Sequence, residues 1–339
     1  MQTTNKILLG HGSGGRMMHN LITELFARHF NDPVLDQQTD AALLSFPFGN
    51  LAFTTDAFVV QPLFFTGGDI GKLSVCGTVN DLVASGATPL WISAAFIIEE
   101  GLEVSVLEDI VKSMASSARQ AGVRIVCGDT KVVGKGQCDR LFITTSGIGQ
   151  VQSQHLRIAT GELITAGDHI IISGTLGDHG MAVLAARNEL GFASKLLTDC
   201  APLNLMVQPL LDENLDIRFM RDPTRGGLAT VLCEIAENKD FGIIINEEQL
   251  PVSEAVRGMC ELYGFDPLYI ANEGKMLIIS SPKDSSRIIE ILKKSPEGRQ
   301  ATLIGEVSND HTAKVLLKTQ IGGTRMITML AGEQLPRIC

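Results

Sequence analysis

Along the chain, apolar residues recur at two spacings. Over residues 17–30, Leu21, Ile22, Leu25 and Phe26 fall on one helical face. The same reading predicts a helix over 70–85, ended by Gly86 and Pro89, and one over 104–121, ended by Gly122. Short apolar runs predict strands at 42–46, 51–55, 91–98, 123–127 and 141–148. After a linker over 150–167, strands are expected at 169–173, 243–245, 276–280, 301–307 and 314–317. Helices are expected between them at 180–189, 227–237, 253–262 and 283–293. Residues 320–339 lack periodicity and read as a mobile tail. The fold class expected is α/β plus α+β, divided as residues 1–150, 151–319 and the tail 320–339.

Composition narrows the classes of function. A length of 339 residues suggests two domains, and 45% hydrophobic residues can bury a core without disulfide or metal staples. Twenty-eight basic against thirty-eight acidic residues argue against a general nucleic-acid or anionic-membrane binder. At 5% aromatic, a stacking platform for single strands is not expected either. Cys76, Cys127, Cys138, Cys200, Cys233, Cys260 and Cys339 are odd in number and contain no CxxC, which excludes a zinc ribbon and a thioredoxin-type site. No signal-peptide pattern is seen, and the longest apolar run, 91–98, is too short to span a bilayer. A reducing cytoplasm is the expected location.

Several segments carry candidate chemistry. Gly10-His11-Gly12-Ser13-Gly14-Gly15 follows an apolar run and fits a phosphate-binding glycine loop; it also fits a plain flexible loop. It is no P-loop, because Arg16-Met17 stands where Lys-Ser/Thr is required. Asp40, Asp56, Asp81, Asp129 and Asp222 all fall at element ends. Each alone suits a cap or turn, whereas five converging would suit magnesium and ATP without a Walker lysine. Gly77 and Asp81 share a helix face, and small Gly77 and Thr78 would leave room there for a ligand.

Gly128-Asp129-Thr130-Lys131 follows a buried strand, at the edge where open α/β sheets bind ligands. Lys131 would contact a phosphate or carbonyl there, or simply be solvated. In Arg221-Asp222-Pro223-Thr224-Arg225-Gly226-Gly227, Thr224 is a candidate helix cap and the glycines would admit an anion. Glu273, in Asn272-Glu273-Gly274, has the chemistry of a general base or of an ordinary surface carboxylate. Cys339 is no prenylation box, which needs its cysteine fourth from the end. It is a candidate swinging thiol carrier, or an accidental tail cysteine.

Together these segments resemble the HypE family of hydrogenase maturation enzymes, within the aminoimidazole-ribonucleotide synthetase-like ATP enzymes. The resemblance rests on Gly10–Gly15, Gln38-Thr39-Asp40-Ala41-Ala42, Thr54-Thr55-Asp56-Ala57-Phe58, Asn80-Asp81-Leu82, Gly128-Asp129-Thr130-Lys131-Val132-Val133, Arg221–Gly227, Asn272-Glu273-Gly274 and Pro336-Arg337-Ile338-Cys339. The terminal Pro-Arg-Ile-Cys points to this family; the aspartate motifs are shared with selenophosphate synthetase and thiamine-monophosphate kinase.

The resemblance implies a homodimer formed by strands of the first domain, and ATP between the domains. It implies that HypF, a carbamoyltransferase, loads Cys339. ATP-dependent dehydration to a thiocyanate follows, and the cyano group passes to iron on a HypC–HypD complex. On that reading Asp40, Asp81 and Asp222 hold magnesium. Gly12, Ser13, Gly14, Gly15, Asp56, Asn80, Gly128, Asp129 and Thr130 bind the nucleotide. Cys339 carries the substrate, Glu273 takes protons and Lys131 orients a carbonyl or phosphate. A small-molecule kinase or synthetase of the same superfamily, an NAD-binding oxidoreductase built on Gly10–Gly15 and a non-catalytic scaffold compete with it.

Overall fold

The computed structural model describes residues 6–12, 16–34, 46, 49–187, 195–330, 335 and 337–339. Ser13, Gly14, Gly15, Asp40 and most of the strand expected at 42–46 lie outside the described residues. The first helical segment is α1 (Arg16–Leu21), a wider π turn at Ile22–Ala27 and α2 (Arg28–Phe30). Then come β1 (Asn50–Phe58), β2 (Phe64–Phe65), β3 (Gly68–Asp69), α3 (Ile70–Ala84), β4 (Ala87–Glu99), α4 (Val104–Ala121), β5 (Arg124–Val133) and β6 (Leu141–Val151).

The larger sheet of this half has the order β1-β6-β4-β5, with only β4 and β5 parallel. Helix α3 starts because the Asp69 carboxylate accepts from the Gly71 and Lys72 N–H groups. It is buried nearly all round, between the sheet and the second domain. Helix α4 is amphipathic, packs on α3 and stops at Gly122, which takes the left-handed conformation at φ 68°. The opposite face of the sheet carries Leu51 and Phe53, 50% and 66% exposed, and Ile97.

The strand expected to stop at 127 continues to Val133, so Gly128-Asp129-Thr130-Lys131 is strand and not a loop beyond it. Pairing with β4 runs on from Ala94–Gly128 to Glu99–Val133, and the β-branched Thr130, Val132 and Val133 suit it.

The second half contains β7 (His169–Ile172), α5 (Asp178–Arg187), α6 (Asn204–Asp212), β8 (Ile217–Arg221), α7 (Gly227–Ala236), β9 (Gly242–Asn246), α8 (Glu254–Tyr263), β10 (Leu277–Ser280), α9 (Pro282–Leu292), β11 (Thr302–Ser308), β12 (Val315–Lys318) and β13 (Thr324–Ile327). They build a seven-stranded sheet in the order β13-β12-β9-β11-β7-β10-β8, antiparallel except for β9 with β12. Three of these elements were not expected. Pro209 sits inside α6, β8 is short, and β13 lies in the segment taken for a tail.

Strand alternation divides the interior. Ile170, Ile172, Leu277 and Ile279 point into a core with α7. Ile171 and Ile278 point into a core shared with Leu73, Val79 and Ile338. The two domains are therefore packed through one apolar layer, and the cleft between them has a continuous floor.

Candidate active site

Four carboxylates reach this cleft from four elements. Asp56, near the end of β1, accepts from the Ala57 N–H at 2.8 Å. Asp81, on α3, accepts from the Thr54 hydroxyl at 2.8 Å. Asp222 follows β8, and Glu273, 3% exposed, lies in the loop before β10. The space expected beside Gly77 is filled. A Cβ there would stand 3.0 Å from the Phe58 ring and 3.6 Å from Asp56 Oδ2. Thr78 is buried and hydrogen-bonded to Thr145. Glycine is needed at position 77 for helix–strand packing.

The Glu273 loop is fixed by backbone-directed hydrogen bonds. Asn272 donates through Nδ2 to the carbonyls of Pro223 (2.9 Å) and Ile270 (3.1 Å) and accepts from the Gly177 N–H (2.7 Å). Asp199 accepts from the N–H groups of Glu273 (3.1 Å) and Gly274 (3.3 Å) and pairs with buried Lys275 at 3.4 Å. Any side chain at position 274 would collide with the Asp199 carbonyl, 1.8 Å from where its Cβ would lie. Asn80, expected among nucleotide-binding residues, is committed elsewhere. It donates to the carbonyls of Ala201 (3.1 Å) and Glu273 (3.2 Å) and accepts from the Leu203 N–H (2.9 Å). It ties α3 to the loop that carries Glu273.

Crowding of like charge sets the electrostatics. Burial raises the Asp56 carboxyl, against the Ala57 N–H and Arg225. Burial also raises Asp81, helped by Asp56 and opposed by Thr54, Arg221 and Arg225. Asp222 is pushed up to about 7 by burial and by neighbouring Asp81. Glu273 is held well above the usual carboxylate range by burial first, and then by Asp222, Asp199, Asp56 and Asp81. A cavity of about 240 Å³ opens on two of these acids, lined by Thr54, Asp81, Ser85, Arg221 and Asp222. Among the described residues no three His, Cys, Asp or Glu stand close enough to hold a metal unaided. Asp81 and Asp222, with Asp56 nearby, are a hard-oxygen pair of the kind that magnesium binds with waters and phosphates.

The chain end is docked in the structure, where the sequence suggested mobility. The Val59 N–H donates to the Cys339 carbonyl (3.2 Å), and the Gln61 N–H to that of Arg337 (3.1 Å). Arg337 returns Nε–H to the Val59 carbonyl (3.0 Å), pairs with Asp139 and lies over the Phe142 ring. His179 donates Nε2–H to the Ile338 carbonyl (2.8 Å); its Nδ1 faces the Thr198 hydroxyl (2.9 Å), and burial lowers the ring below the ordinary histidine range. Ile338 sits in the shared core. Cys339 lines a second cavity, of about 400 Å³, with Arg225, Thr230 and Tyr269. Burial, and next Glu273, pushes its thiol far up.

Other expected residues do not reach the cleft of their own chain. Asp129 and Lys131 are exposed on edge strand β5 and pair with each other at 2.8 Å; Thr130 is buried. In register, Asp129 faces Ala95, Ala95 faces Thr144 and Thr144 faces Ala57. Three strand spacings make roughly 14 Å at ~4.8 Å each, so Gly128, Asp129, Thr130 and Lys131 stand at the sheet edge opposite Asp56. Gly12 ends a 3₁₀ turn, Leu9–Gly12, packed against β5.

Thr224 does not cap α7 through its side chain. Gly226, at φ 75°, occupies the cap position, and a Cβ on Gly227 would lie 2.5 Å from the Leu268 carbonyl. Gly227 serves close backbone packing, and Gly226 a left-handed turn beside the Thr230 side chain. Sequence reasoning missed Asp199, His179 and the part played by Arg225. Arg225 lay in view within its motif, whereas nothing local marks Asp199 or His179.

Comparison with known proteins follows this geometry. Residues 38–151 match the family model of the AIR synthase related protein N-terminal domain, and residues 165–318 that of its C-terminal domain. The chain is 47% identical over 337 residues to carbamoyl dehydratase HypE of Rhodobacter capsulatus, covering 98% of each. A crystal structure of hydrogenase maturation protein HypE in complex with ATP superposes with a TM-score of 0.93 at 46% identity, covering 98% of this chain and 99% of that one. A chain of a crystal structure of a HypE–HypF complex superposes with a TM-score of 0.79 at 48% identity, covering 91% of this chain and 99% of that one. The chain belongs to the HypE carbamoyl dehydratase family of the AIR synthase related proteins.

Proposed function

We propose that this chain dehydrates an S-carbamoyl group on its own Cys339 to a thiocyanate, with ATP converted to ADP and phosphate. The observation that carries the reading is the docked chain end, where Cys339 lines a cavity with Arg225 and lies close enough to Glu273, Asp56 and Asp222 to feel their charge. The relatives named carbamoyl dehydratase, one of them solved with ATP, support it.

An amide oxygen is a poor leaving group, and phosphorylation makes it a good one. Glu273 accepts a proton from the amide nitrogen; a carboxyl raised by burial and like charge is suited to general-base work near neutral pH. Magnesium, when bound, would neutralise charge on the transferring phosphoryl group. Asp81 and Asp222 would hold it, with Asp40 outside the described residues and Asp56 beside them.

Docked, the Cys339 thiol stays protonated and is a poor nucleophile. Loading therefore belongs to an undocked tail, and HypF is the proposed carbamoyl donor because a related HypE was solved with it. A HypC–HypD complex would receive the cyano group as an iron ligand of [NiFe]-hydrogenase. A reducing cytoplasm suits seven free thiols.

Among the described residues, the sheet face with exposed Leu51, Phe53 and Ile97 suits pairing with a second copy. Lys131 and Asp129, remote from their own cleft, would then serve the cleft of the paired copy.

The test is intact-mass analysis of the C-terminal peptide after incubation with HypF, carbamoyl phosphate and ATP. A carbamoyl adduct on Cys339 that loses one water only with ATP is expected. An adduct that persists with ATP and magnesium refutes dehydration. Undiminished turnover of a free small substrate by Cys339→Ala would support a kinase or synthetase instead.

A further inference from the structure

Arg225 is a cation between the two halves of this site, and nothing among the described residues claims it. It sits in the turn from β8 to α7, three residues beyond Asp222. That turn is rigid. The Thr224 N–H donates to the Asp222 carbonyl (3.1 Å) and the Gly227 N–H to the Thr224 carbonyl (2.9 Å), and the buried Asn272 amide holds the Pro223 carbonyl. From there the Arg225 charge acts on Asp56 and Asp81 on one side and on Cys339 on the other. The side chain also lines the cavity that contains Cys339. Yet Arg225 makes no hydrogen bond and no ion pair within 4 Å of the described residues.

The other arginines near the cleft are committed. Arg221 pairs with Glu234 at 3.1 Å, and Arg337 with Asp139. An arginine held by a rigid turn, facing carboxylates without pairing with them, keeps five donors for a planar oxyanion.

We propose that Arg225 is a catalytic residue that grips the carboxamide oxygen of carbamoylated Cys339 as that oxygen takes up the phosphoryl group. The assignment rests on the reading of Cys339 as carrier. In the first step the amide oxygen bonds to the γ-phosphorus while the bond from that phosphorus to the β,γ-bridging oxygen breaks. ADP leaves with the electron pair, and one N–H proton passes to Glu273. In the second step the carbon–oxygen bond breaks and its electron pair leaves with phosphate. The remaining N–H electrons complete the carbon–nitrogen triple bond, and that proton leaves on the phosphate. Loss of the N–H proton puts imidate charge on that oxygen as it attacks, and breaking the carbon–oxygen bond returns negative charge to it in the second step. A guanidinium fork there stabilises the transition state more than the neutral amide before it.

The experiment compares wild type, Arg225→Ala and Arg225→Lys as full-length chains. Three quantities are read: magnesium–ATP affinity by calorimetry, carbamoyl loading of Cys339 by intact mass, and the rate of water loss from the loaded tail. Arg225→Ala is expected to load normally and to bind ATP within about threefold of wild type. Its water loss should slow by about 10³-fold, the scale of losing one arginine or oxyanion donor. Arg225→Lys should recover no more than about a tenth of the lost rate, because a point charge lacks the fork. Guanidinium at millimolar concentration should partly restore Arg225→Ala, which a purely structural role would not allow.

If Arg225→Ala dehydrates at the wild-type rate, or loses ATP affinity as steeply as rate, the assignment is wrong. It is equally wrong if guanidinium restores nothing. If the wild-type tail never carries the adduct, the carrier reading itself falls.

Discussion

The two edges of the first-domain sheet each carry an aspartate beside a threonine and do opposite things. Strand β1 bears Thr54-Thr55-Asp56-Ala57 and strand β5 bears Gly128-Asp129-Thr130-Lys131. At the β1 edge Asp56 is half-buried against α3 and the second domain, and its carboxyl is raised. At the β5 edge Asp129 is exposed, and Lys131 beside it lowers its carboxyl. Along the chain each offers an aspartate within a strand. What separates them is cover: one edge lies under another domain and the other faces water. A motif supplies the chemical group, and its surroundings decide whether the group is tuned for chemistry.

The largest break in that comparison comes from the cleft side. Cys339→Ala should abolish tail carbamoylation and thiocyanate formation while leaving ATP affinity unchanged, as mass analysis and calorimetry would reveal. Glu273→Gln should slow water loss by about 10²–10⁴-fold, the usual worth of a general base. The same substitution should raise the midpoint of thermal unfolding by a few degrees at pH 7–8, and less at pH 5. The sign follows from linkage. The folded carboxyl holds its proton more tightly than the unfolded one, so its contribution to stability is lost as pH rises above the ordinary carboxylate range. The amide does not titrate, and a midpoint with the same pH dependence as wild type would contradict this.

Mixing copies sharpens the contrast between edges. Lys131→Ala and Glu273→Gln chains are each expected to be inactive alone. Co-assembled at random, they should regain roughly a quarter of wild-type activity if Lys131 serves the paired copy, because one cleft in each mixed dimer is intact. No recovery would place Lys131 in its own cleft.

Two smaller effects test stability alone. Asn80→Ala leaves the buried carbonyls of Ala201 and Glu273 without their donor and should cost about 1–3 kcal/mol in denaturant unfolding. Asp129→Ala removes one exposed ion pair and should cost under about 0.5 kcal/mol.

Much of the fold was legible along the chain. Helix α4 was placed end to end, because its apolar face repeats and Gly122 stops it. The strands around Ile170–Ile172 and Leu277–Ser280 announced themselves as apolar runs. What escaped has physical causes. Strand β13 is only Thr-Arg-Met-Ile with three of the four residues exposed, so its apolar signal is too short to read; its pairing with β12 makes it a strand. Helix α6 is marked against itself by Pro209. The docked tail looked mobile because its hold is backbone hydrogen bonding to residues 59–61, His179 and Arg187, all remote in sequence.

The candidate site divides the same way. Hydrophobic spacing determined where most helices and strands form, and residue type determined which side chains can bind phosphate, take a proton or carry an acyl group. These are local properties. Which acids share a cleft is a matter of strand order, register and domain packing over contacts between residues far apart in the chain. Asp56, Asp81, Asp222 and Glu273 converge because a strand, a helix and two loops from both domains end at one apolar floor. Asp129 and Lys131 do not, because three strand spacings separate their edge from that place.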